Sequence, residues 1–186
     1  LQKHRIRLKS ISDPLEQLWT DRPPMPEGPA FIHETKYAGK SSTEKISIIR
    51  EELKKCNAKA LFLSALDEIA WTLNLRGSDV HCNPVVVSYL LIEEQHTHFF
   101  IQPQKITPVV ANYLKEIGAS LHPYEEVETY LNRINVDSLL INPAKTNYAM
   151  YSAVNPNCRI IHGASPVTLL KAIRNKQEIA GIHAAM

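Results

Sequence analysis

No apolar run in the sequence approaches the roughly 20 residues that a membrane span needs; the longest stretches, such as Pro84 to Ile92, fall far short. A signal-peptide pattern is also absent, so a cytoplasmic protein with no membrane partner is the expectation. The three cysteines, Cys56, Cys82 and Cys158, cannot all pair internally. None stands in a CxxC spacing, which removes a zinc knuckle and a redox pair from consideration. Isolated thiols are expected as small core hydrophobes in a reducing compartment. A net charge of +2 leaves no surplus for tracking phosphates, and no nucleic-acid partner is expected. Nucleotide loops of the GxGxxG and GxxxxGK(S/T) kinds are missing, as are the GxSxG elbow and HExxH.

What is present is ordinary globular usage, with 44% hydrophobic and 22% charged residues in a chain of 186. That length suits one domain with an attached arm, or two small lobes. Five of the twelve prolines, Pro14, Pro23, Pro24, Pro26 and Pro29, fall before residue 41 and force an extended or turning connection. Within this arm Leu15, Leu18 and Trp19 stand at helical spacing and are expected to dock on a neighbour. The basic start, Lys3 to Lys9, alternates with Ile6 and Leu8 and is expected as a solvated edge strand.

From Ser42 the pattern turns regular. Ser42 or Thr43 is placed to cap a helix through Cys56, whose Ile46, Ile49, Leu53 and Cys56 share one face. Ala60–Ser64 reads as a buried strand, Asp67 opens a helix to Leu73, and Pro84–Glu93 with Thr97–Gln102 reads as a hairpin. Helices follow at Pro108–Glu116, at Val127–Ile134, at Tyr148–Val154 and at Val167–Ile173. Strands lie between them at Ser120–His122, Ser138–Ile141 and Arg159–Ile161. Alternating strands and helices define an α/β domain, and the hairpin makes its sheet mixed. Lys176 to Met186 reads as a helix with no stop signal, so the sequence is expected to be a piece of a longer chain.

The densest polar cluster runs from Asp67 to Asp79. Asp67 and Glu68 complement the dipole of the helix they open. Gly77 is placed as a left-handed helix terminus. Asn74, Arg76 and Asp79 are the candidate substrate or domain-interface residues, with a turn-locking role as the plain alternative. His96 and His98 point to one side of a strand, lack a third ligand, and are expected as exposed hairpin histidines. No residue is a candidate for catalysis or for metal binding.

Several segments together resemble the cytosolic three-domain Xaa-Pro aminopeptidases, aminopeptidase P of peptidase family M24. They are Trp19–Pro23, Tyr37–Gly39, Glu44–Ile46, Ser64–Trp71 running into Asn74–Asp79 and Asn83–Pro84, then Lys171–Lys176 and Glu178–Gly181. The resemblance implies a creatinase/prolidase N-terminal type of fold, a mixed β-sheet flanked by helices with a ribonuclease H-like motif. Residues 1–40 would be the tail of a preceding domain and a Pro-rich linker, 41–173 the domain itself, and 174–186 the start of a catalytic domain absent here. It also implies a parent that removes an N-terminal residue preceding proline with two divalent metals, usually manganese, held in that absent domain. Cofactors in this chain would be none. Its partners would be the catalytic domain in cis, peptide substrate through the parent, and further subunits of a homo-oligomer. A free-standing pseudoenzyme or ligand-binding module of the same fold is the alternative. Val85–Val87 departs from the family pattern, where an aromatic is expected, and bears on packing.

Overall fold

The computed structural model describes residue 9, residues 11–16 and residues 18–186. The basic start expected as an edge strand lies, but for Lys9, outside the described residues. In chain order the elements are β1 (Phe31–Ile32), α1 (Thr35–Ala38), α2 (Ser42–Lys55), β2 (Ala60–Leu63), α3 (Leu66–Leu73), β3 (Leu75–Arg76), β4 (Ser88–Glu93) and β5 (Thr97–Ile101). They continue with α4 (Pro108–Glu116), β6 (Ala119–Pro123), α5 (Val127–Arg133), β7 (Ser138–Ile141), α6 (Tyr148–Ala153), β8 (Arg159–His162), α7 (Pro166–Ala172) and α8 (Lys176–Ala185). No helix among the described residues is long and apolar enough to cross a membrane.

Helix α2 starts one residue earlier than its sequence suggests. Ser41, not Ser42 or Thr43, is the N-cap, and with Glu44 it completes a capping box: Glu44 N donates to Ser41 Oγ (3.3 Å) and Ser41 N to Glu44 Oε2 (2.8 Å). Ile46, Ile49 and Leu53 are buried as expected, but Cys56 is exposed at the C-cap. Asn57 then turns the chain with a φ of 54°. Of the three thiols only Cys158 is buried, so the expectation of core cysteines fails for Cys56 and Cys82.

Six strands form one sheet in the order β6-β5-β4-β2-β7-β8. Strand β4 is antiparallel to both β2 and β5, while β2–β7, β7–β8 and β5–β6 are parallel pairs. The hairpin joining β4 to β5 is thus the source of the mixed character, and β4 begins at Ser88 rather than at Pro84. The alternation of β2 divides the core in two. Leu61 and Leu63 face the layer of α2, α3, α4 and α7, whereas Ala60 and Phe62 face α5 and α6. Phe62 alone, 1% exposed, contributes roughly 2–3 kcal/mol of apolar burial. The mixed sheet flanked by helices is the fold that the sequence implied.

Two short elements were not expected. Strand β3 pairs antiparallel with β1, with Phe31 opposite Arg76 and Ile32 opposite Leu75. Helix α1 covers Thr35–Ala38 and ends at Gly39 in the left-handed region (φ 71°). In the proline-rich arm, Leu15, Leu18 and Trp19 are exposed, and Arg22 lies 5.6 Å over the Trp19 ring.

Candidate functional site

The end of α3 carries the first candidate. Asn74, not Gly77, is its left-handed terminus (φ 48°), a conformation that asparagine tolerates better than most side-chain-bearing residues. Asn74 is buried and fully used. Its Oδ1 accepts from Lys45 Nζ (2.6 Å), its Nδ2 donates to Lys40 O (2.9 Å), and its carbonyl accepts from His33 N (2.7 Å). Gly77 is required for a different reason: a Cβ there would lie 2.2 Å from Val86 Cγ1. The two adjoining residues, Val85 and Val86, are both buried, so this wall is rigid packing.

Around Asn74 lies an under-neutralised group of cations. Lys45 is buried, donates also to Trp71 O (2.9 Å), and sits 4.4 Å over the Trp71 ring. No carboxylate lies within 4 Å of it among the described residues, and burial pushes its pKa down to about 8. Arg76 is half-buried, and its Nη1 donates to Ala70 O (2.6 Å) and Leu75 O (2.8 Å), tying the end of α3 to β3. Arg76 is therefore not a solvated surface charge. Its remaining nitrogens have no hydrogen-bond partner among the described residues. Burial lowers the Arg76 pKa, and burial with the charges of Arg76 and Lys45 lowers that of His33.

Asp79 does not join this group. Its Oδ2 meets Lys105 Nζ at 2.5 Å with both side chains fully buried, and the same oxygen accepts from Val87 N at 2.6 Å. The pair pins the loop from Gly77 to Val87 onto the short 3-10 turn at Pro103–Lys105. An open groove of about 370 Å³, lined by Gly77, Val80, His81, Cys82 and Pro84, runs along the outer side of that loop. Of the three candidates, Asn74 and Arg76 thus share one layer, and Asp79 anchors the loop that follows. At the other end of α3 the N-cap is Ala65; Asp67 pairs with Lys171, and the buried Glu68 accepts from Thr168 Oγ1 (2.5 Å), so both tie α3 to α7.

Of the two hairpin histidines, His96 is exposed as expected and His98 differs. His98 is buried, not exposed. Its Nδ1 lies 3.0 Å from His122 Nε2, and its Nε2 lies 2.9 Å from Tyr130 Oη. Strand β6 runs parallel to β5 with Ser120 opposite His98 and His122 opposite Phe100, which sets both rings on one face. Only that cross-strand register, which periodicity does not reveal, brings them together. Tyr130 also lines an open cavity of about 660 Å³ with Glu93 and Arg133. No group of three or more His, Cys, Asp or Glu that could hold a metal ion occurs among the described residues. The residues present do not fit a dinuclear centre, and no chemical step is assigned to them.

A mixed six-stranded sheet with one reversed strand and helices on both faces defines a layered α/β domain. Residues 21–178 match the creatinase/prolidase N-terminal domain family, and the chain belongs to that family. It is 36% identical over 179 residues to Xaa-Pro aminopeptidase 1 of Dictyostelium discoideum, covering 94% of this chain and 28% of that protein. Drosophila melanogaster Xaa-Pro aminopeptidase ApepP is 34% identical over 173 residues, 90% of this chain and 28% of its own. Among solved structures, the X-prolyl aminopeptidase of Caenorhabditis elegans, described as a cytosolic enzyme with a di-nuclear active site, superposes with a TM-score of 0.85. Identity there is 28%, over 91% of this chain and 29% of that one. The chain thus spans under a third of the length of these relatives.

Proposed function

We propose that this chain is the non-catalytic domain of a metal-dependent Xaa-Pro aminopeptidase, one that removes an N-terminal residue preceding proline. The observation that carries the proposal is the coverage: nearly all of this chain aligns with under a third of each aminopeptidase, and the superposition on the nematode enzyme is close. Residues 1–40 then serve as the tail of a preceding domain and a linker, 41–173 as the domain body, and 174–186 as the entry to the catalytic domain. The two divalent metals, manganese by the resemblance, belong to that following domain. The domain's task is to narrow the mouth of the active site, so that a peptide N-terminus enters and an internal segment does not, and to contribute to contacts between subunits. A cytoplasmic location accords with this reading.

The parent protein with manganese is expected to release the first residue from an Xaa-Pro peptide, and the 186-residue chain alone is expected to release none. Chelator-sensitive release by the isolated chain would overturn the assignment of a non-catalytic role. On this reading Arg76 lies at the edge facing the catalytic domain, and its remaining donors, a planar fork, suit a carboxylate across that boundary. Arg76→Ala is expected to lower turnover by the parent about tenfold while destabilising the domain by roughly 1 kcal/mol through its two lost carbonyl bonds. Unchanged turnover per folded molecule would leave Arg76 as a structural tie alone.

A further inference from the structure

Helix α8 has no buried residue, and Ile179 and Ile182 on it are exposed. Its main neighbour in the domain is α1. Asn175 Oδ1 accepts from Gln177 N and Glu178 N, each at 3.0 Å, and Glu178 Oε2 accepts from Asn175 N at 2.9 Å. Those bonds make a capping box, and a capping box needs only the acceptor of the Asn175 side chain. The donor is used elsewhere: Asn175 Nδ2 bonds Ala38 O, the last carbonyl of α1, at 2.8 Å. Gly39 makes that approach possible. A Cβ at this position would lie 2.3 Å from Asn175 Oδ1, and its φ of 71° disfavours any side chain.

A second observation is independent of these bonds. Burial lowers the pKa of Lys45, Arg76 and His33, and in all three Glu178 is the carboxylate whose charge opposes that fall. Lys40, exposed beside them, adds a further positive charge. The charge of Glu178 on α8 thus acts on the cation group around Asn74 from beyond the 4 Å of a direct ion pair.

We propose that Asn175 and Glu178 latch α8 to the domain and set the angle at which the chain leaves it. Asn175 acts as a hydrogen-bond pin on Ala38, and Glu178 as the counter-charge to Lys45 and Arg76. The inference rests on the reading above that residues from 174 onward open the catalytic domain. On that reading both are positioning residues, which hold the active-site mouth at a fixed width without touching substrate.

Two substitutions separate the latch from the helix cap. Asn175→Asp keeps the acceptor that caps α8 and removes the donor to Ala38; Glu178→Gln keeps the acceptor for Asn175 N and removes the charge. In the full-length parent, amide exchange across residues 35–41 is expected to quicken about tenfold in each variant, the loss of roughly one hydrogen bond, while α8 keeps its own protection. KM for an Xaa-Pro peptide is expected to rise about three- to tenfold with kcat within about twofold. Asn175→Ala, which loses cap and pin together, should loosen both segments. Unchanged exchange across 35–41 in both cap-preserving variants overturns the latch, and loosened exchange with an unchanged KM overturns the positioning role. If the wild-type parent releases nothing from Xaa-Pro peptides, the peptidase reading fails while the exchange result still decides the latch.

Discussion

Asp79→Ala is expected to destabilise the domain by about 3–5 kcal/mol, the usual consequence of stripping one partner from a buried ion pair. Both side chains of the Asp79–Lys105 pair are fully buried, so the alanine leaves an ammonium in the interior with no counter-charge. It also removes the acceptor of Val87 N, the bond that leads the chain into β4. Urea unfolding followed by circular dichroism measures the change. The double variant Asp79→Leu with Lys105→Met is expected to recover most of the loss, because two apolar groups of similar volume need neither solvation nor pairing. A loss below about 1 kcal/mol in the single variant would mean that the pair is open to solvent. Asp79→Asn should fall between the two, since the amide oxygen still accepts from Val87 N while the charge is gone.

The parts of the fold that periodicity specifies were legible. Ile46, Ile49 and Leu53 mark the inward face of α2, and the polar turn between Glu93 and Thr97 marks the β4–β5 hairpin. Strand β3 was not legible, because its partner β1 lies over 40 residues earlier and two-residue strands carry no alternation. The lysines show why the site was only half visible. Lys45 and Lys105 sit in the interior, against the usual fate of lysine, and each does so because distant residues supply its acceptors. Asp79 was singled out from its neighbours in sequence, yet its principal partner is 26 residues away. Glycine at 77 drew the helix terminus to the wrong position. The left-handed residue is Asn74, and Gly77 answers a steric demand from Val86 that local reasoning does not register.

Stability should fall as the pH drops from about 6.5 towards 4, and His98 should carry much of that loss. Burial, followed by the positive charges of His122 and His96, lowers its pKa in the folded state from 6.5 to about 4. The folded ring is therefore neutral where the unfolded one takes up a proton. A depressed folded pKa contributes stability that is fully present above the unfolded value and is lost as the pH falls to the folded one. The contribution at stake is up to about 3 kcal/mol, and the groups around His98 reduce it. From β4, Glu93 Oε2 lies 3.9 Å from His98 Nε2, and burial raises the Glu93 pKa, so this carboxyl takes up its proton more readily when folded and works in the opposite direction. From β6, His122 is lowered by burial and supported by Glu126, and it adds to the acid loss. Tyr130 of α5 bonds the ring and stays neutral throughout this range. Urea midpoints at pH 7.5, 6, 5 and 4 should decline for the wild type and flatten for His98→Gln, whose amide reaches the same neighbours without titrating. An equal decline in that variant would place the acid sensitivity elsewhere, with His122→Asn as the next substitution to compare.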